Sequence, residues 1–372
     1  MEGIKIKRTF TTDLPLHEGR APYWLIKLMK ELGKEVCSII IKEYGTEEFL
    51  RRISDTFWFQ SFGCVLGYDW HSSGVTTVLT GVLKEVFKEN DLGIFVAGGK
   101  GKKSRETLEE LNGLRKFNFD EERISKYKYI SRIVAKIDNS LIQAGYQLYH
   151  HTIFIDYKGK WAVVQQGMNL QDLTARRYHW LDENVKDFVN EPHTSIVSDV
   201  VKEKVLNMVA KESEENRKAC VDLVNEGINK IQRSIKECVS GPLDKWLESH
   251  GQNKIPHYMM PREINWKALK EIYEKKPKKY IEIVEFYGVG PSTIRALALV
   301  SEIVFGTPAS WRDPVKYTFA HGGKDGVPYP VNKRTYRKTI EIFRDAIQRA
   351  NIGDNQKIVS FEKISFARNI LN

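Results

Sequence analysis

The sequence predicts an α+β protein, mainly helical, in which an N-terminal α/β domain with a small sheet precedes a C-terminal all-α domain. Three observations carry that expectation. Long stretches repeat apolar residues at i, i+3 and i+4, the mark of amphipathic helices. One pair of short apolar runs is joined by a four-residue turn, the mark of a β-hairpin. Near residue 290, two further apolar-periodic segments flank a Gly-Val-Gly turn.

Taken in order, residues 22–44 read as a helix burying Trp24, Ile26, Leu28, Met29, Leu32, Val36 and Ile40, and residues 47–53 as a second helix. After a Gly-bounded loop over 63–74, residues 75–88 read as another helix and 93–97 as a short buried strand. Residues 152–156 and 161–165 form the hairpin, closed by Tyr157-Lys158-Gly159-Lys160. Residues 195–250 are helix-rich and charged, and 251–261 have the polar, Pro-bearing composition of a linker. Helices return from Pro261, with a last one over 332–350. The implied domains are 1–190, a charged helical connector over 191–255, and 256–372.

At 372 residues with 41% apolar and 28% charged content, the chain has the composition of a folded globular protein. No apolar run approaches the ~18 residues that would span a bilayer, and the N-terminus lacks the features of a signal peptide. A cytoplasmic location and no membrane partner are expected. Cys37, Cys64, Cys220 and Cys238 form no C-x-x-C, so a zinc or iron–sulfur site is not expected and no cofactor is implied. Abundant Lys, Glu and Ile with few Cys and Met match the composition of thermophilic proteins. Of the net charge of +10, residues 254–372 carry 21 basic against 12 acidic side chains, so nearly all the excess lies there. Clustered positive charge points to nucleic acid.

The same segment holds Tyr287-Gly288-Val289-Gly290-Pro291-Ser292-Thr293. Ile281 and Val284 precede it; Ile294, Leu297, Ala298, Val300 and Ile303 follow at helical spacing. Gly288 and Gly290 supply the conformational freedom and close approach that a tight interhelical turn needs. The first amides of the following helix have no partner within it, and with the helix dipole they make an anion site suited to a DNA phosphate. The string resembles the helix-hairpin-helix motif of sequence-independent DNA-binding proteins. That resemblance implies that Gly288, Val289, Gly290, Ser292 and Thr293 hold the backbone of double-stranded DNA, with Lys333, Arg334 and Arg337 adding charge.

Other strings are long and rare: residues 62–74 (FGCVLGYDWHSSG), 97–102 (AGGKGK), 163–169 (VVQQGMN), 175–180 (ARRYHW) and 319–326 (FAHGGKDG). Together, over about 14–350, they resemble the archaeal and bacterial family catalogued as domain of unknown function 763. That name implies no chemistry. A more distant resemblance is to helix-hairpin-helix DNA glycosylases, whose second helix ends near a Phe-Gly with a catalytic Asp shortly after. Phe305-Gly306 and Asp313 stand at comparable spacing. Where bifunctional members carry a Schiff-base Lys, this chain has Ser292, so an amine for lyase chemistry would come from elsewhere; Lys324 is nearest.

Base excision needs a carboxylate, a pocket for the flipped base and, for strand cleavage, an amine. Asp313, Lys324 and Asp325 follow the hairpin closely, and Asp69 is a further carboxylate. Trp70 would stack on the base, His71 would serve as acid or base, and Gln165, Gln166 and Asn169 offer amides to read a base edge. Lys100 and Lys102, in Gly98-Gly99-Lys100-Gly101-Lys102, suit a DNA-backbone clamp rather than an ATP site, because G-x-x-x-x-G-K-[ST] is absent. Asp69, Lys136, Asp138, His150, His151 and Asp156 permit a metal-dependent nuclease, but His150 and His151 are adjacent on a strand and face opposite ways. The leading expectation is a DNA glycosylase, with or without AP-lyase activity, acting on a base such as 5-hydroxymethyluracil or uracil. A nuclease and a non-catalytic DNA-binding module are the alternatives.

Overall fold

The structure, a computed structural model, describes residues 23–67, 73–198, 200–240, 260–261 and 263–315, with Asp345 and Gln348. It opens with α1 (Tyr23–Ser54), broken at Gly45 where φ is 86°, so the expected pair of helices is present. α2 (Thr56–Val65) is capped by Asp55, whose side chain accepts from the Trp58 amide. α3 (Gly74–Glu89), strand β1 (Ile94–Lys100) and the one-turn α4 (Lys102–Arg105) and α5 (Thr107–Glu110) follow. α6 (Glu121–Ser140), capped by Asp120, leads into β2 (Ile142–Gln143), β3 (Gln147–Asp156), β4 (Trp161–Asn169) and β5 (Thr174–Leu181). Then come β6 (Ser195–Ser198), β7 (Leu206–Asn207), α7 (Glu214–Glu226), α8 (Ile228–Ser240), α9 (Trp266–Lys275), α10 (Tyr280–Glu285) and α11 (Pro291–Phe305).

The main sheet is antiparallel, in the order β1-β3-β4-β5-β6, and both its faces are covered. Because successive strand residues point to opposite faces, the sheet feeds two separate apolar clusters. Phe154, Ala162, Val164 and Leu181 pack with Val36, Phe49, Phe62 and Leu83 of α1, α2 and α3. Ile153, Ile155, Val163, Tyr178 and Trp180 pack with Ile130, Val134 and Ile137 of α6. That second cluster runs on without a break through Val205, Cys220 and Leu223 to Ile272, Ile283, Ile294 and Leu297. The boundary expected at 190 lies between Val189 and Ile196, both buried in this cluster; the one expected at 255 lies outside the described residues. Ile196 of β6, Leu206 of β7 and Cys220, Leu223 and Val224 of α7 are buried in the same cluster.

Some details depart from the sequence reading. Met29, Leu32, Val36 and Ile40 are buried as expected, but Trp24 and Leu28, at 64% and 37% exposure, lie on the solvent side of α1. The hairpin strands β3 and β4 extend well beyond the expected limits, and α2, α6, β5 and β6 had no counterpart in it. The expected helix over 332–350 falls almost wholly outside the described residues. Among the described residues no helix is long and apolar enough to cross a membrane.

Candidate nucleic-acid interface and adjoining cleft

α10, the turn over 286–290 and α11 form a compact pair of helices held by named polar contacts. Gly288 has φ 86° and its carbonyl accepts from Asn265 Nδ2 at 3.1 Å. A Cβ at Gly288 would lie 2.7 Å from that same nitrogen, so glycine is required there twice over. Val289 is buried, and its amide donates to the Phe286 carbonyl at 3.2 Å. The Thr293 side chain is also buried and accepts from the Asn265 amide at 3.4 Å, so its hydroxyl is spent inside the protein. Lys136 Nζ donates to the Phe286 carbonyl, and Gln143 Nε2 donates to the Pro291 carbonyl at 2.8 Å. Burial lowers Lys136 to about 8, with Glu285 pulling the other way.

Gly290 behaves differently. Its backbone is extended, at φ −131° and ψ −171°, so any residue could adopt it, and a Cβ there would meet nothing within 4 Å. The expectation that both glycines serve turn conformation holds for Gly288 alone. Pro291 occupies the first helical position, where it has no amide to lose. The amides of Ser292 and Thr293 follow in the first turn of a 15-residue helix, beyond reach of intrahelical acceptors. Tyr287, at the tip, is 94% exposed.

The expected basic clamp is organised otherwise than the sequence suggests. Gly98 has φ 103°, and a Cβ on it would lie 2.1 Å from the His151 carbonyl oxygen. Its amide donates to Glu110 Oε2 at 2.7 Å, while Lys84 Nζ bridges the Gly98 carbonyl and the same carboxylate. The Gly101 amide donates to the Tyr149 carbonyl. These amides are thus used by the fold rather than presented to a phosphate. Lys100 lies over the Tyr149 ring, and Lys102 is exposed.

Of the expected base-pocket residues, Gln165 and Gln166 are buried on opposite faces of β4. Gln166 Nε2 donates to the Ser73 carbonyl at 3.0 Å and to Tyr149, and its Oε1 accepts from Thr76. On that face Arg177 reaches Gln60 and His179, and His150 meets Thr80 and Thr152. Asn169 closes a local turn, accepting from the Gln171 amide. Asp69, Trp70, His71, Lys324, Asp325, Lys333, Arg334 and Arg337 lie outside the described residues. Asp156, one of the nuclease carboxylates, accepts from the Lys158 and Lys160 amides and from Thr46, which commits it to the β3–β4 turn. His150 and His151 sit on opposite faces, and burial pushes their imidazoles down to about 3 and about 4.

Asp313 is not a free carboxylate. Its side chain is fully buried against Arg176, with Nη2 to Oδ2 at 2.6 Å. Oδ2 also accepts from the Lys202 amide at 2.8 Å, and Oδ1 from the Val315 amide at 3.2 Å. The Arg176 guanidinium stacks on Tyr146, 4.5 Å from the ring centre. Asp313 nevertheless borders a cleft of about 180 Å³, lined also by Glu191, His193, Ile196, Asn207, Ser310 and Arg312.

Behind the cleft is a polar chain that the sequence reading did not assemble. His193 Nε2 meets Asp138 Oδ1 at 2.5 Å. The other Asp138 oxygen accepts from Trp180 Nε1 at 3.0 Å and Gln165 Nε2 at 2.5 Å. Gln165 Oε1 in turn accepts from His151 Nδ1 at 2.8 Å, and His151 Nε2 meets Ser131 at 2.8 Å. Burial pushes the Asp138 carboxyl up, against the opposing pull of His193, Trp180 and Gln165. The sequence offers Asp138 only as a nuclease carboxylate, and His193 belongs to no motif. Among the described residues, no cluster of three or more His, Cys, Asp or Glu side chains is arranged to hold a metal.

Cleft and hairpin are physically linked. Gln143 donates to the Pro291 carbonyl and accepts from Arg295 Nε at 2.8 Å. Arg295 lies over the Trp311 ring, two residues before Asp313. β2, which carries Gln143, pairs with β7, whose Asn207 borders the cleft.

The chain belongs to the family described as protein of unknown function DUF763, whose model matches residues 10–331. No curated protein and no solved structure matches the chain.

Proposed function

We propose that this protein is a DNA-repair enzyme that grips the duplex backbone at residues 286–293 and excises a modified or damaged base at the adjoining cleft. The observation that carries the reading is Gly290. The fold explains Gly288 completely but does not explain why Gly290 lacks a side chain. An external group approaching the Ser292 and Thr293 amides does, because a side chain at Gly290 would stand in its way. The excess positive charge of the C-terminal third and the exposed Tyr287 suit the same partner. The cleft is smaller than the roughly 300–1,000 Å³ of drug-sized pockets, which favours a single extruded base over a larger ligand. The contacts through Gln143, Arg295 and Trp311 tie that cleft to the backbone anchor.

End-labelled duplexes, each carrying one modified base or an abasic site, are incubated in EDTA with and without borohydride and read before and after alkali. Alkali-revealed breaks at a modified base in EDTA are expected, and borohydride trapping would add lyase chemistry through an amine. Cleavage only when Mg²⁺ or Mn²⁺ is restored would replace the reading with a nuclease. Salt-sensitive binding without product would leave a binding module.

A further inference from the structure

We infer that His193 is the catalytic proton acceptor of the cleft, positioned by Asp138, and that it activates the water that attacks C1′ of the extruded nucleoside. This rests on the base-excision reading and names the group that does its chemistry.

Four groups that accept protons border the cleft. Glu191 and Glu212 are exposed at its rim. Asp313 spends both oxygens on Arg176, Lys202 and Val315. His193 remains. Its Nε2 points at the Asp138 carboxylate, so in the neutral ring Nε2 carries the hydrogen and Nδ1 carries the lone pair. Nδ1 has no protein partner among the described residues. A buried carboxylate that fixes the tautomer and supports the imidazolium formed on proton uptake is the logic of an Asp–His pair. Here the carboxylate is itself fixed by Trp180 and Gln165, so it cannot swing away. The Trp180 ring centre lies 4.2 Å from that of His193, which locks the imidazole plane. The chain enters this position through Glu191, at φ 45° with its amide donating a hydrogen bond to the Val209 carbonyl, and then Pro192.

In the step itself, a water oxygen bonds to C1′ while His193 Nδ1 takes one of its protons. The C1′–N bond breaks with its electron pair on the departing base, which takes a proton from solvent. Sugar hydroxyl and free base are the products, with no amine or redox partner consumed. The ionisable groups around His193 are Asp138 and Tyr178 on its protein side, and Asp313, Arg312, Glu191 and Glu212 on the cleft side, with Arg176 behind Asp313.

The test is single-turnover excision from a 5-hydroxymethyluracil or uracil duplex in EDTA at saturating protein, with duplex binding measured alongside. His193→Gln should lose about 10²–10⁴-fold with binding unchanged. Asp138→Asn should lower the rate at saturation while leaving the duplex Kd unchanged, because His193 loses the carboxylate that fixes its tautomer. Wild-type rates in His193→Gln would overturn the inference and leave base excision standing; no excision by wild type from any modified duplex would remove both. A measurement on the wild-type chain covers the case in which the variants fail to fold. Diethylpyrocarbonate modification of His193, read by peptide mass, should slow when a duplex bearing a pyrrolidine abasic-site analogue is bound. Modification unaffected by that bound duplex would overturn the assignment.

Discussion

Arg176 and Arg177 are neighbours on β5, both fully buried, yet they belong to opposite faces of the sheet and to different chemistry. Arg177 looks toward α2 and α3, where it joins Gln60, Thr76 and His179 in a network that ties those helices to the strands. Arg176 looks the other way, toward Asp313 and the wall of the cleft. The period of two along a strand separates a polar layer that holds helices in place from one that borders an open space. Residue type alone does not tell them apart. What does is whether the layer ends at the core or at a cleft.

The sharpest way to break the comparison is to remove the carboxylate from the cleft side. Asp313→Ala strands the Arg176 charge in the core and leaves the Lys202 and Val315 amides without their acceptor. Breaking a buried pair from one side costs about 3–5 kcal/mol, read as a fall in denaturant midpoint at constant slope. On the sequence reading, the same position was a catalytic carboxylate whose loss spares the fold. A variant with wild-type stability and no excision would restore that role.

Acid places the two faces on equal terms. His150, toward α3, and His151, toward α6, are both buried as neutral rings, with imidazoles pushed down to about 3 and about 4. The unfolded chain takes up protons first, near the ordinary value of about 6.5. Stability is therefore intact above that pH and falls as pH drops toward the folded values. Each histidine contributes a slope of about 1.4 kcal/mol per pH unit in that window. Unfolding free energies measured between pH 7 and 5 should fall less steeply in His150→Gln, and equally so in His151→Gln. An unchanged slope in either would mean that ring does not stay neutral in the folded protein.

The hairpin glycines offer a smaller contrast within one turn. Gly288→Ala meets a positive φ and the Asn265 amide, and should cost about 1 kcal/mol or more in stability. Gly290→Glu enters open space, so its stability should stay within about 0.5 kcal/mol of wild type. On the proposed backbone anchor, duplex binding should nonetheless fall, and the dependence of log K on log salt should lose about 0.9 per phosphate contact removed. Undiminished binding in Gly290→Glu would take the anchor away from this turn.

How far this was legible in the sequence follows from the same geometry. The helix-turn-helix over 280–305 and the β3–β4 hairpin were readable because each is defined by local spacing and turn residues. α6 is legible too, through Ile124, Tyr127, Ile130, Val134 and Ile137 at helical intervals. β5 carries no alternation, because Arg176, Arg177 and His179 are buried on a strand covered on both faces. The cleft was not legible. It joins Asp138 of α6, His193 of a loop and Asp313 beyond α11, residues far apart in the chain, and none belongs to a motif that includes the others. Gln165 and Asp313 were singled out from the sequence, but their partners decide what they do: Gln165 anchors Asp138, and Asp313 anchors Arg176.

The last contrast concerns how the hairpin is fastened to the body of the protein. Gln143 holds the Pro291 carbonyl as a neutral amide, whereas Lys136 holds the Phe286 carbonyl as a cation half-removed from water. Burial lowers Lys136 from 10.5 to about 8. Between those values the unfolded chain carries more protons than the folded one, so this residue makes stability rise with pH across that window and imposes a constant penalty below it. Lys136→Met removes both the penalty and the hydrogen bond, so its absolute effect is small. The variant-minus-wild-type difference is what discriminates. It should be most favourable to the variant below pH 8 and should shift steadily in favour of wild type as pH approaches 10.5. A difference that stays flat from pH 7 to 10 would show that Lys136 keeps its ordinary affinity for a proton, and that its grip on the turn costs the fold nothing in lost hydration.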